Sequence, residues 1–308
     1  MVAGQPLPRL GFIGAGRVGT ALATALASAG YPVVAVASRS FVSARLLAER
    51  VDGAEAFESP ADVVARADLV FLTTPDDAIR STVDALHWCA GGAVVHTSGV
   101  ESREILSAAY EAGADTGSLH PLQTFADREP ALSNLPGSVF AVEAEEPLRG
   151  VLLAMVEALH GTPIELAAED KALYHASAVL ASNYVVTLMK LASDLWLRFG
   201  WEREASVRAL LPLLRGAVNN LEALGVPAAL TGPVARGDID TVRRHLDALE
   251  ASAPDALPSY RELALQTVPV ALARGGLSDD GARDLRRLLN DSGTGAGAGH
   301  TPREGSHA

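Results

Sequence analysis

Apolar and polar residues follow two rhythms along this chain, and the change between them comes near residue 145. In the first part, short apolar runs alternate with segments in which apolar residues recur at helical spacing. The run at 9–13 ends in a glycine, and the alanine-rich stretch 20–29 after it has no proline or turn residue. That pattern predicts a strand leading directly into a helix. Residues 31–39 are almost continuously apolar, as expected of a strand buried on both faces of a parallel sheet. The alternation continues with helical segments at 41–50 and 61–65, a strand at 68–75, and a helix opened by Asp76 and Asp77. A strand at 92–99, a helix at 101–112 and extended pieces at 117–125 and 137–142 complete the expected sheet, with a polar loop, 126–136, placed to lie over its crevice.

From Pro147 the pattern is helical to Asn290, apart from the extended residues 163–166. Helices are expected near 147–160, 169–198, 202–224, 238–250, 256–274 and 279–290. The second should be largely buried, because 176–188 are mostly small or apolar. The expected division is therefore 1–145, 146–290 and a tail, 291–308, whose Gly/Ala/Ser/Thr-rich composition predicts disorder. Strands alternating with helices, then helices alone, predict an α/β fold with a C-terminal all-α domain.

The first strand–helix junction reads Gly14-Ala15-Gly16-Arg17-Val18-Gly19. In such a turn the first glycine allows the bend, the second lets a pyrophosphate approach the backbone, and the third lets helix and strand pack closely. The N–H groups and positive end of the new helix then face the phosphates. With the strand–helix alternation around it, this junction predicts a Rossmann dinucleotide-binding domain. An NAD site would place a carboxylate about twenty residues further on, at the end of the second strand. Ser38-Arg39-Ser40 stands there instead, and a guanidinium with two hydroxyls suits the 2′-phosphate of NADP. Ligands in open α/β sheets lie beyond the carboxyl ends of the strands. The tips Ser38–Ser40, Thr73-Thr74-Pro75 and His96–Gly99, with Thr97 and Ser98 at its centre, should thus line the same crevice as the glycines.

Composition narrows the partners. A net charge of −12 leaves no basic excess for nucleic acid or an anionic membrane. No apolar run is long enough to span a bilayer, and residues 1–8 lack the features of a signal peptide. One cysteine, Cys89, excludes an internal disulfide framework and fits a reducing cytoplasm. No Cys/His cluster has zinc spacing, and His300 and His307 are too far apart in the tail to suggest a metal site.

A nicotinamide enzyme reducing a carbonyl or imine needs a proton donor near the acceptor atom. Lys171 and His175 stand four apart at the start of a long helix, so they share a face and one site can use both. Each also fits a plainer role: Lys171 as a first-turn lysine paired with Glu169 or Asp170, His175 as an interior histidine. Asn183 lies about 18 Å further along a straight helix and is read as a wall or far-end substrate contact. His120, at a strand end beside Pro121, is the other candidate proton donor. Arg236 can clamp a substrate carboxylate, or pair with Asp238 to cap the next helix.

The glycine junction, Ser38-Arg39-Ser40, Leu119-His120-Pro121-Leu122-Gln123, residues 171–184 and residues 231–238 resemble Rossmann-like proteins carrying the helical domain of unknown function 2520. That family is similar to ketopantoate reductases, pyrroline-5-carboxylate reductases and prephenate dehydrogenases of the 6-phosphogluconate dehydrogenase-like superfamily. The resemblance implies an NADP-dependent oxidoreductase for a small keto acid or imine, ketopantoate included, acting as a homodimer. It implies Lys171 as the catalytic lysine and general acid, with His175 where relatives place an asparagine, His175 and His120 orienting substrate or relaying the proton, and Gln123 on the substrate side. Two rivals remain: a non-catalytic NADP-binding sensor with a protein partner, and a deazaflavin-linked NADP reductase.

Overall fold

The computed structural model describes residues 6–125 and 134–291. Most of the expected crevice loop and nearly all of the expected tail, with His300 and His307, lie outside them. Two compact units divide the chain, 1–184 and 185–308.

In the first unit the elements run β1 (Leu10–Ile13), α1 (Arg17–Ser28), β2 (Val33–Ala37), α2 (Phe41–Ala48), β3 (Glu55–Phe57), α3 (Pro60–Val64), β4 (Leu69–Leu72) and α4 (Asp76–Asp84). They continue with β5 (Ala93–His96), α5 (Ser107–Glu111), β6 (Asp115–Pro121), β7 (Val139–Ala144), α6 (Leu148–Ala158), β8 (Thr162–Glu165) and α7 (Lys171–Ala181). The strands form one sheet in the order β3-β2-β1-β4-β5-β6-β7-β8. β1 to β6 are parallel, and β7 pairs antiparallel with β6. The order reverses direction between β1 and β4, which opens a crevice at the carboxyl ends of those strands.

Each face of the sheet has its own core because successive strand side chains point to opposite sides. Phe12 and Phe71 stack at 5.0 Å on the face covered by Leu22 and Leu26 of α1 and Leu152 and Met155 of α6. Ile13 and Leu72 point the other way, onto Ile79 and Val83 of α4 and Leu106.

Four expectations change. Residues 163–166 were expected as an isolated extended piece in a helical region, and the boundary near 145. Instead β8 pairs with β7 as the eighth strand, and α6 packs on β7, so the first compact unit runs forty residues further. The single helix expected at 169–198 is interrupted at Ser182 (φ −123°, ψ −70°), giving α7 and then α8 (Asn183–Leu197). Nor is 176–188 buried: Leu180 is 64% and Val186 72% exposed. An apolar composition marks a surface to be covered, not one that is covered within its own unit.

The second unit holds α9 (Arg203–Leu224), α10 (Ile239–Ser252), α11 (Leu257–Arg274) and α12 (Asp279–Asn290), as the helical spacing predicts. Its core is built from Val242 and Leu246, Val268 and Ala271, and Leu285 and Leu289. No helix among the described residues is long and apolar enough to cross a membrane.

Candidate active site

The glycine junction is shaped by contacts that only glycine permits at two positions. Gly14 has φ +113°, and a Cβ there would come within 2.7 Å of the Thr73 carbonyl. A Cβ on Gly19 would lie 2.2 Å from the Gly14 oxygen. Gly16 differs, since a Cβ there would meet nothing within 4 Å. It is the N-cap of α1, has no capping side chain, and is followed by a first turn without acidic residues. Uncapped N–H groups at a helix start with open space before them form an anion site.

The neighbouring tips divide into those that build the crevice and those left open to it. Thr73 is buried and gives its hydroxyl to the Gly14 oxygen at 2.5 Å, so it shapes the loop. Thr74 Oγ1 is buried with no hydrogen-bond partner among the described residues. Ser98 is buried, and its oxygen accepts from the N–H groups of Val100 and Glu101. Ser40 caps α2 by accepting from Ser43 N. Arg39 is exposed beside it and makes no ion pair with any described residue. Ala15, Arg17 and Val18 sit in the turn, Ser38 and Thr97 are half-buried, and Pro75 is exposed at the start of α4.

A second cluster lies at the ends of β5, β6 and β7. Ser118 and Glu143 are opposite each other in the antiparallel β6–β7 pair, so both side chains leave the sheet on the same face. Lys171 inserts between them, its Nζ 2.5 Å from Ser118 Oγ and 3.1 Å from Glu143 Oε2, with only 1% exposure. Burial lowers the pKa of the lysine, and the Glu143 charge opposes that shift. Tyr174 and His175 stand one turn further along the same face of α7. Tyr174 Oη is 2.9 Å from His120 Nδ1, and the His120 and His175 rings are 6.3 Å apart, edge to face. Both rings crowd Gly99, where a Cβ would lie 2.8 Å from His120 Nε2 and from His175 Cδ2. His120 Nε2 bonds to no described group.

The lysine–glutamate pair brings charge next to the two rings. Burial, then the His175 and Lys171 charges, pull the His120 pKa down to about 4, so its ring is neutral near pH 7. His96, fully buried at the end of β5, falls to about 3 through burial and Lys171. Its Nδ1 accepts from Ser98 N and its Nε2–H donates to the Ser102 carbonyl, which pins the loop carrying Gly99.

Lys171, His175 and His120 thus come together within one unit. Gln123 does not join them: its amide donates to the Asn134 carbonyl and Ser138 Oγ, holding chain beyond β6. Asn183 is exposed and lies past the break at Ser182. Arg236 belongs to the second unit, where Asp238 alone caps α10 by accepting from Thr241 N, and Arg236 is exposed without an ion pair to a described residue. Glu143 and Tyr174 were not singled out from the sequence, and His96 and Gly99 were placed only as the bounds of a strand tip lining the crevice. A glutamate in the apolar strand 139–144 and a tyrosine three residues after Lys171 were signals that could have found two of them. Among the described residues, no group of three His, Cys, Asp or Glu side chains could hold a metal ion.

Family models match residues 4–121 as a Rossmann-like domain and residues 138–267 as domain of unknown function DUF2520. This chain is a Rossmann-like protein with a DUF2520 domain. Protein TM1727 from Thermotoga maritima is 27% identical, with a TM-score of 0.68 over 86% of this chain and 99% of that one. A Bacteroides fragilis protein provisionally named an NADP oxidoreductase, BF3122, is 26% identical, with a TM-score of 0.69 over 85% and 98%. The fold is shared more distantly by a Plasmodium falciparum pyrroline carboxylate reductase with NADP bound, 16% identical, with a TM-score of 0.58 over 92% and 98%. No curated protein matches the chain.

Proposed function

We propose that this protein is an NADPH-dependent reductase acting on the C=O or C=N group of a small, carboxylate-bearing keto acid or imine. The observation that carries the reading is the placing of unpartnered polar groups along one edge of the sheet. The buried Thr74 hydroxyl follows β4, open space lies before Gly16 after β1, and the free Nε2 of His120 lies near the end of β6. The NADP named for two of the structurally similar proteins supports the cofactor.

The residues of the crevice fit such a group. The turn Gly14-Ala15-Gly16-Arg17-Val18-Gly19 would hold the pyrophosphate, and Ser38, Arg39 and Ser40 the 2′-phosphate. Thr74, with Pro75, Thr97 and Ser98, would meet the nicotinamide end. When bound, the reduced dinucleotide supplies hydride. His120 gives a hydrogen bond from Nε2 to the acceptor oxygen or nitrogen. A neutral imidazole polarises that atom without itself carrying charge. Lys171 is sealed from solvent, so we assign it the fixed positive charge of the site, opposing the negative charge that develops on the acceptor. His175 orients the substrate beside it. On the sequence alone Arg236 stays the candidate carboxylate clamp, and Asn183 an outer contact.

The exposed apolar side chains of α7, α8 and α9, among them Leu173, Leu180, Val186 and Leu213, suit the interface of a homodimer. Light scattering should therefore give twice the chain mass, and a monomer would overturn this part of the reading.

Cofactor titration tests the proposal. NADPH should bind more tightly than NADH, and Arg39→Ala should remove roughly 1.5–3 kcal/mol of that preference, the worth of hydrogen bonds to a charged group. Equal binding of the two dinucleotides by the unaltered protein would contradict it.

A further inference from the structure

We propose that Tyr174 is a positioning residue of this site: its phenol donates to Nδ1 of His120 and so keeps the imidazole proton on Nε2, the nitrogen that faces the acceptor atom. The inference rests on the reading of His120 given above and adds what prepares that histidine for its role.

The two rings meet edge to face, with centroids 5.6 Å apart, and the Tyr174 oxygen lies 2.9 Å from Nδ1. Among the described residues the phenol has no other partner, so Nδ1 is the acceptor available for its proton. Burial raises the Tyr174 pKa to about 12, which keeps the phenol protonated and able to donate. The reverse arrangement, with Nδ1–H giving to the phenol oxygen, would leave a bare lone pair on Nε2 and no donor for a substrate.

The surroundings favour the same state. The groups facing His120 are Tyr174, His175 and Lys171 from α7 and His96 from β5. No carboxylate contacts the ring, and Glu143 is turned to Lys171. An imidazolium is thus disfavoured, while a neutral ring with one fixed tautomer is favoured. Gly99 provides the access, since any side chain there would run into Nε2 and the His175 ring.

For a ketone, the oxygen becomes an alkoxide as its carbon takes up hydride, and it then removes the Nε2 proton to form O–H. The transient imidazolate keeps the Tyr174 hydrogen bond at Nδ1 and faces the Lys171 charge. Water returns a proton to Nε2, leaving hydroxide. Tyr174 never touches the substrate.

The test is long-range ¹H–¹⁵N correlation of histidine side chains in ¹⁵N-labelled full-length protein, with no cofactor or substrate added. His120 is assigned by its loss in His120→Gln. The expected result is one neutral tautomer with the proton on Nε2, replaced in Tyr174→Phe by a mixture containing Nδ1–H. His96, fixed by its own two hydrogen bonds, should keep one tautomer in both and reports that the variant is folded. With a substrate in hand, Tyr174→Phe should lower kcat by about tenfold, the worth of one hydrogen bond, with KM for NADPH unchanged. A wild-type His120 carrying its proton on Nδ1, or an unchanged tautomer in folded Tyr174→Phe, would overturn the proposal. The tautomer is read without turnover. A protein that reduces nothing yet shows it refutes the proposed function and leaves this pairing intact.

Discussion

The glycine junction after β1 and the histidine–lysine cluster beyond β5 and β6 lie along the same edge of one sheet, yet they are made of different material. The junction is backbone: Gly14 and Gly19 are held by distances that leave no room for a Cβ, and Thr73 ties the loop from beside it. The cluster is side chain. Ser118, His120, Glu143, Lys171, Tyr174 and His175 come from two strands and a helix, and all but His175, which meets the His120 ring edge to face, hydrogen-bond to another member. A backbone site binds whatever carries the right phosphates. A side-chain site can choose a protonation state, and chemistry depends on that choice.

If the cluster does the chemistry and the junction only binds, alterations in the two should separate cleanly. The largest effect is expected for His120→Gln, which should lower kcat by about 10²–10⁴-fold and leave NADPH affinity unchanged in a fluorescence titration. Equal losses in both would merge the two regions into one binding site. Lys171→Met leaves Glu143, itself mostly buried, without its partner. Breaking a buried pair in this way costs roughly 3–5 kcal/mol, read as a lower Tm, and Lys171→Met/Glu143→Leu should recover much of it. Failure of the double variant to recover would mean that Ser118 or packing, and not the pair, sets the stability.

Of the two regions, acid should act on the cluster. The pKa values of His96 and His120 fall to about 3 and about 4 from an ordinary 6.5, so the unfolded chain binds more protons than the folded one in between. Stability from these rings is therefore complete above pH 6.5 and is lost as pH falls towards 4, by on the order of a few kcal/mol. Urea titrations at a series of pH values should show the decline, and a shallower one in His120→Gln. The smallest effect sharpens the junction itself. Gly16→Ala should leave Tm unchanged, because its Cβ meets only open space, while weakening NADPH by about tenfold or more. Gly19→Ala should lower Tm even with no ligand present.

The same contrast explains what could be read from the chain. Gly14-Ala15-Gly16-Arg17-Val18-Gly19 is local, with every residue that makes the turn inside one short stretch, so its spacing carries its geometry. The strands around it were legible because both sheet faces are covered and the runs are continuously apolar. Lys171 and His175 could be placed on one helical face, and His120 at a strand end. What joins them could not be read: Glu143 reaches Lys171 only because β7 returns antiparallel in a register that sets it opposite Ser118. β8 was legible as an extended piece, but its place in the sheet was not, since that depends on β7 and not on its own short sequence. Helical spacing also misled over 176–188, where apolar residues such as Leu180 and Val186 are exposed.

The central claim is that the two regions together reduce a substrate with NADPH. It is tested most directly by screening small 2-keto acids, ketopantoate included, and cyclic imines for NADPH oxidation, using cofactor carrying deuterium at the transferred position. The account predicts oxidation with at least one member of these classes, deuterium on the former carbonyl or imine carbon, and loss of both in His120→Gln. Tight NADPH binding with no oxidation by any member of either class, or turnover undiminished in His120→Gln, would contradict it.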